Sequence, residues 1–228
     1  MSYLPLVFIG PTITTDYCGE TAMEKRAVVD SIELTNLGLV GDEQADKRVH
    51  GGPDRALCHY PREHYELWQM QYPELKSLFR ASAFGENIST IGMTEENVHI
   101  GDVYQWGTAI IQVTQPRSPC FKLSGLTQQD DFALVMQGSG KIGWLYRVIK
   151  VGVVSVKDPL VLLNRGSISV AETVAIAFHQ DYNEANTQRL LSAAGLSASW
   201  TATMIKRLQT KQIESFERRL FSLKTRSN

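Results

Sequence analysis

Short apolar or alternating runs fill the first three-quarters of the chain. Residues 28–35 alternate, and so do residues 98–106, after which Gly107-Thr108 leads into the apolar run 109–114. Alternation indicates strands with one buried face, and a turn between two such runs predicts a hairpin. Many short strands separated by glycine turns favour a β-barrel or a sandwich. Further strands are predicted at residues 7–9, 56–59, 151–156 and 160–163.

Two helices are predicted within this β-rich region. Pro61 suits the first turn of one helix, behind which Tyr65, Trp68 and Tyr72 share a face. A second, weaker helical pattern covers residues 129–137. We interpret the aromatic face as core packing rather than as a ligand contact.

The pattern becomes helical after residue 166. Ser169 and Glu172 form a capping-box pattern, which predicts a helix that begins there. Two more helices are predicted, one over residues 186–194 and one capped by Ser197. The C-terminal region is therefore expected to be all-helical.

The predicted fold class is α+β, with two domains. Residues 1–166 are expected to form a mostly antiparallel β-barrel with peripheral helices, and residues 167–228 a small three-helix domain. Near the C-terminus the apolar pattern restarts, with Glu214 and Arg218 spaced as an i, i+4 ion pair on one helix.

Composition excludes several classes of protein for this chain of 228 residues. The net charge of −1 argues against a basic surface for nucleic acid, and no apolar stretch approaches the roughly 18 residues that span a bilayer. The N-terminus lacks the features of a secretory signal. Three cysteines without paired spacing favour a reducing compartment. We therefore expect a cytoplasmic protein that binds neither a nucleic-acid polymer nor a membrane.

Cys120 carries the most distinctive chemistry. It ends the motif QPRSPC (residues 115–120), directly after a predicted strand. The prolines stiffen this loop, and Arg117 brings a positive charge that favours the thiolate, the form that attacks electrophiles or binds metals. A buried, inert apolar thiol is the alternative that the motif leaves open. Cys58 is expected to be a buried apolar thiol.

A second candidate site is the segment 41–55, which places cations, a histidine and paired glycines between two strands. Glycines let backbone amides approach a ligand, and lysine and arginine bind anions, so the segment predicts a phosphate or oxyanion cradle. A polar surface loop is the alternative. Asn87, just after Gly85, is a weaker candidate for a polar ligand. The candidate ligands in the cradle are Lys47, Arg48, His50, Gly51, Gly52 and Arg55.

Taken in order, these segments resemble the MOSC domain family, named after the C-terminal part of molybdenum cofactor sulfurases. The helical end resembles a stand-alone bacterial branch that closes with a three-helix domain. Related eukaryotic amidoxime reductases carry an arginine where this chain has Gly85-Glu86, so the contacts around Asn87 are expected to differ. The motifs that carry the resemblance are GLVGD (38–42), RVHGGPD (48–54), FGEN (84–87) and QPRSPC (115–120).

The resemblance implies a β-barrel that carries a molybdenum–pyranopterin cofactor, with Cys120 as the protein's sulfur ligand to molybdenum. The branch implies a reductase that converts small N-hydroxylated compounds, such as hydroxylaminopurines, to the amine and water. The chain shows no flavin, haem or iron–sulfur motif, so the electrons are expected from an external donor. Family analogy suggests a flavoprotein reductase.

Roles for individual residues follow from the same resemblance. The cofactor's phosphate is expected at the cationic cradle or at Arg117, with His50, Asn87 and Ser118 near the pterin or the metal. Reduction of an N–OH group also needs a proton donor. His50 and Asp54 are both candidates, and the sequence does not choose between them.

Two alternatives to a reductase remain open at this point. The chain could be a sulfur carrier or cofactor-handling protein that uses a persulfide on Cys120. It could also be a non-enzymatic module that binds an anion or a cofactor.

Overall fold

The structure, a computed structural model, describes residues 2–46 and 50–221. Its strands are β1 Ser2–Tyr3, β2 Leu6–Ile9, β3 Ile13–Thr15, β4 Gly19–Thr21, β5 Arg26–Ala27, β6 Ile32–Thr35, β7 Gly38–Leu39, β8 Leu57–His59, β9 Ile88–Ser89, β10 His99–Ile100, β11 Val103–Trp106, β12 Ala109–Pro116, β13 Trp144–Lys150, β14 Gly152–Val154, β15 Leu160–Asn164 and β16 Ile168–Ser169. Its helices are α1 His64–Gln71, α2 Phe121–Thr127, α3 Phe132–Ser139, α4 Val170–Val174, α5 Glu184–Leu191, α6 Ala198–Thr210 and α7 Glu217–Leu220.

A curled, largely antiparallel sheet of nine strands forms a half-barrel at the centre of the fold. Its strands follow the order β1-β15-β11-β12-β13-β8-β9-β2-β5, and only the β8–β9 pair is parallel among these described pairings. The predicted α+β class is confirmed. Strand β13 was not predicted, since its apolar run does not alternate strictly, yet it lies between β12 and β8 in the middle of the sheet.

The predicted hairpin is confirmed in β11 and β12, where Trp106 pairs with Ala109 across the turn. Of the alternating run 28–35, only β6 at its end is a strand, paired with β7 and β14 in a separate small sheet. The helix predicted over residues 129–137 is α3, displaced a few residues towards the C-terminus.

Aromatic side chains build the core between the sheet and helix α1. Tyr65 and Trp68 on α1 are buried, and the Trp68 indole donates a 2.6 Å hydrogen bond to the Tyr60 hydroxyl. Phe84 packs edge-on against Tyr60, and the ring centroids of Phe84 and Phe132 are 5.7 Å apart. Burying such rings stabilises a fold by several kcal/mol, about 3–5 kcal/mol each by truncation. The interpretation of the aromatic face as core packing is therefore correct.

The C-terminal helices begin where their capping residues predict. The Ser169 hydroxyl accepts a 3.0 Å hydrogen bond from the Glu172 amide at the start of α4, which continues as a π-helical turn over Ala175–His179. The reciprocal half of the capping box is absent, because the Glu172 carboxylate pairs with Arg189 on α5. Ser197 caps α6 in the same way, by accepting from the amide of Trp200.

The predicted ion pair between Glu214 and Arg218 is wrong. Helix α6 ends at Thr210, and its C-cap residue Lys211 takes a left-handed conformation with φ of 55°. The i, i+4 spacing therefore does not apply across residues 211–216, and the Glu214 carboxylate instead receives two 2.8 Å hydrogen bonds from Arg207. The domain boundary at residue 166 stays a prediction. In the described part of the chain, every helix is too short or too polar to cross a bilayer.

Candidate active site

Cys120 lies in the turn that connects strand β12 to helix α2. The strand ends at Pro116, the Arg117 amide continues the ladder with a 3.0 Å bond to the Gly143 carbonyl, and Cys120 occupies the N-cap position of α2. Cys120 is a free cysteine and is partly exposed. Ser118, also partly buried, lies in the same turn. The seven-residue helix α2 was not predicted, because it is too short to show a clear period.

The guanidinium of Arg117 lies beneath this turn. One of its terminal nitrogens donates a 2.6 Å hydrogen bond to the Phe84 carbonyl, while Nη1 is buried and has no hydrogen-bond partner among the described residues. Burial opposes its charge, but the negative potential of Cys58, Glu86 and Cys120 outweighs that effect and raises the pKa of Arg117. Arg117 is therefore a fixed positive charge with one donor available for an anion.

Glu86, which the resemblance marks as a departure, lies behind Arg117 and is fully buried. Its Oε1 atom accepts from the Tyr65 hydroxyl at 2.8 Å and from the Ser82 amide at 2.6 Å, while Oε2 has no partner among the described residues. Burial raises the pKa of Glu86, although these hydrogen bonds and Arg117 oppose the shift. The carboxyl group is thus within electrostatic range of Arg117.

The Asn87 side chain joins three parts of the barrel. Its amide nitrogen donates to the Phe8 carbonyl at 3.2 Å and to the Asp42 carboxylate at 2.8 Å, and its oxygen accepts from the Cys58 amide at 3.1 Å. Asp42 in turn forms a buried ion pair with Lys25. Both amide protons of Asn87 are therefore engaged, and only an oxygen lone pair remains for a ligand. Its contact with a cofactor stays a prediction.

The cradle places His50 beside a group of cations. Desolvation lowers the pKa of His50 to about 4, and the positive charges of Lys122, Arg117 and Arg55 act in the same direction. His50 is exposed, which limits the effect of desolvation and leaves the nearby cations as the main cause of the low pKa. His50 is therefore neutral near pH 7 in the free protein. Lys122, on α2, is a basic residue of the site that the sequence did not single out.

Gly51 and Gly52 follow His50 with φ of 82° and 88°, a conformation that favours glycine. The Arg55 side chain donates a 2.9 Å hydrogen bond from Nε to the Gly51 carbonyl, which folds the cradle back on itself. The predicted ligands Lys47 and Arg48 lie outside the described residues.

The Asp54 carboxylate is bound by groups outside the predicted site. Its carboxylate forms a 2.8 Å ion pair with Arg147 and accepts a 2.8 Å hydrogen bond from the Ala198 amide at the start of α6. Both oxygens are thereby engaged, and the bond to Ala198 joins the barrel to the C-terminal helices. The prediction that Asp54 is a proton donor gains no support from this geometry.

A profile of the MOSC domain matches residues 46–161, which is half of the chain, and a profile of the YiiM-like three-α-helix domain matches residues 168–211. The chain belongs to the MOSC family. It is 56% identical over 202 residues to protein YiiM of Escherichia coli K12, covering 88% of this chain and 90% of that protein. The crystal structure of YiiM from Escherichia coli superimposes with a TM-score of 0.86 at 48% identity, over 97% of this chain and 100% of that one.

A more distant relative from Gibberella moniliformis is named a reductase. It is 33% identical to this MOSC-family chain over 166 residues, which is 72% of this chain but 27% of that protein's length. The fold, the ordered motifs and the C-terminal helices thus agree with the family that the sequence resembles.

Proposed function

We propose that this protein is a molybdenum-cofactor-dependent reductase of N-hydroxylated compounds, such as hydroxylaminopurines, and that it releases the amine and water. The observation that carries the proposal is the partly exposed Cys120 thiol beside the buried guanidinium of Arg117. A reductase among the relatives and the MOSC profile support it.

The residues present fit an anionic pyranopterin with a thiolate ligand to its metal. The buried Nη1 of Arg117 has a donor to offer, and Arg55 and Lys122 add positive charge around His50. Backbone at Gly52 is open, since a Cβ added there would meet nothing within 4 Å. Cys120 would bind the metal, and the cations would hold the phosphate.

When bound, the cofactor would supply the two electrons that cleave the N–O bond. The protein would hold Cys120 in the turn between β12 and α2. Its cations Arg117, Arg55 and Lys122 would balance the negative charge of the cofactor. Neutral His50 can offer one ring N–H and one acceptor nitrogen. A bound anion would raise the pKa of His50, because it offsets the three cations that lower it. His50 is therefore our preferred proton donor, ahead of Asp54.

Metal content tests the proposal directly. The protein is produced in cells that can and cannot make molybdenum cofactor, and bound molybdenum is measured by mass spectrometry for the wild type and for Cys120→Ala. Cys18→Ala is the matched control, since Cys18 is also a free, partly exposed cysteine. We expect near-stoichiometric molybdenum in the wild type and in Cys18→Ala from competent cells only, and little in Cys120→Ala.

Turnover is then measured as adenine formed from 6-hydroxylaminopurine with a chemical reductant, so that no partner protein is needed. A wild type without molybdenum from competent cells would refute the proposal. Molybdenum retained in full by Cys120→Ala would refute only the ligand assignment. Sulfane sulfur on Cys120 without turnover would favour a sulfur carrier, and bound cofactor without turnover a binding module. The proposed physiological donor, an external flavoprotein reductase, is tested separately by replacing the chemical reductant.

A further inference from the structure

The peptide bond that precedes Cys120 is held by a residue of the C-terminal helix α7. The carbonyl of Pro119 accepts a short hydrogen bond from Nη1 of Arg219, a residue of helix α7 that lies 100 positions later. Pro119 is itself buried and its ring fixes the backbone, so the orientation of this carbonyl and that of the Cys120 backbone are linked.

Arg219 is in turn fixed by three partners. Its Nη2 atom donates to the side-chain oxygen of Gln137 on α3. The guanidinium lies 5.4 Å from the ring centroids of both Phe178 and Phe216, which pack edge-on against each other at 5.3 Å. A guanidinium held by two rings and two oxygens has little freedom to move. It therefore provides a rigid support for the turn at Pro119.

Arg219 also lies near the thiol itself. Burial lowers the pKa of Arg219, while the negative potential of Cys120 and Glu214 opposes that change, so the guanidinium is within electrostatic range of Cys120. Arg219 thus holds the turn from the helical side through the carbonyl of Pro119.

We infer that Arg219 is a positioning residue for Cys120: helix α7 uses it to fix the carbonyl of Pro119, and thereby the turn that presents the thiol. The inference deepens the proposed function, since it concerns the same thiol. It gives the YiiM-like helical region a part in the site, beyond covering the barrel.

Amide hydrogen exchange of the turn tests this inference without any cofactor. Exchange in apo protein is followed by peptide mass spectrometry at a fixed pH for residues 117–123, where the Arg117 amide donates to the Gly143 carbonyl and the Leu123 amide to the Cys120 carbonyl. The β11–β12 hairpin serves as an internal reference, because faster exchange there reports a loss of overall stability.

Arg219→Gln is expected to speed exchange of residues 117–123 by about tenfold or more, because the carbonyl of Pro119 loses its donor and the turn opens more often. Arg218→Gln is the matched control, because Arg218 is the exposed neighbour on the same helix and should leave exchange unchanged. Arg219→Lys can still donate to the carbonyl but loses the planar fork, so we expect a partial rescue.

Unchanged exchange of residues 117–123 in folded Arg219→Gln would overturn the inference, and so would an equal acceleration in Arg218→Gln. If Arg219→Gln also speeds exchange of the β11–β12 hairpin, Arg219→Lys decides the matter: exchange in residues 117–123 as fast as in Arg219→Gln, without any rescue, overturns the inference. Failure of the wild type to bind molybdenum would refute the proposed function and leave this result standing.

Discussion

The buried ion pair between Asp42 and Lys25 supports the segment that carries Asn87. Their side chains are 2% and 4% exposed. The Asp42 carboxylate also accepts from the Gly10 amide at 3.0 Å and from the Asn87 amide at 2.8 Å. Asp42 therefore balances a buried charge and satisfies two buried donors at once.

We predict that Asp42→Ala lowers the free energy of unfolding by about 3–5 kcal/mol, because it leaves the Lys25 ammonium buried without a counter-charge. Loss of the two hydrogen bonds that the carboxylate accepts from Gly10 and Asn87 places the result towards the upper end of that range. The matched control is Glu43→Ala. Glu43 is the exposed neighbour whose carboxylate accepts from a single backbone amide, at 2.7 Å. Its loss is expected to cost about 1 kcal/mol or less.

Urea denaturation followed by tryptophan fluorescence measures both changes, provided that the m-value stays constant. Together with the single variants Asp42→Ala and Lys25→Met, the double variant Lys25→Met/Asp42→Ala completes a mutant cycle, and it should be more stable than the sum of its single variants predicts, by at least about 1 kcal/mol. A loss below about 1 kcal/mol in Asp42→Ala, or strict additivity in the cycle, would refute the reasoning. Since Asp42 orients Asn87, folded Asp42→Asn protein should also bind less molybdenum.

Three further predictions concern the site and acid stability. Asp54→Asn should lower the free energy of unfolding by about 1–2 kcal/mol in urea, because the charged acceptor of the Ala198 amide is lost, while turnover stays nearly unchanged. Arg117→Gln should reduce bound molybdenum about tenfold or more, and Arg55→Gln by less, because Arg117 is the buried cation. Burial lowers the pKa of His59 from 6.5 to about 3. Above pH 6.5 the side chain is neutral in both the folded and the unfolded chain, so acid costs no stability there. Stability of up to about 4–5 kcal/mol is lost as pH falls towards 3, and His59→Gln should show a shallower fall.

Different outcomes would contradict each of these three predictions. Loss of turnover in a stable Asp54→Asn protein would make Asp54 a candidate proton donor again. Full molybdenum content in Arg117→Gln would remove the buried guanidinium from the cofactor site. Denaturation of His59→Gln at a series of pH values is compared with the wild type, and equal slopes between pH 6.5 and 3 would show that other groups carry the acid sensitivity.

Local features of the fold were predictable because their causes lie within a few residues. The β11–β12 hairpin follows from alternation around a glycine turn, and the caps at Ser169 and Ser197 follow from the hydroxyl that each places before a helix. The predicted ion pair between Glu214 and Arg218 was wrong because the end of helix α6 has no clear local signal. That prediction assumed a continuous helix, and the left-handed residue that ends α6 is not signalled by glycine.

The sequence by itself determined the family, the α+β class and the thiol at the centre of the candidate site, because ordered motifs and short-range periodicity are written along the chain. Only the tertiary structure decided which groups surround that thiol. Arg219 reaches the peptide before Cys120 across 100 positions, and the helical region engages Asp54 across 144. Periodicity reports which face of an element is buried, but not which distant element covers it. The partners of Asp54 and Arg219 therefore became visible only once the helices were packed on the barrel.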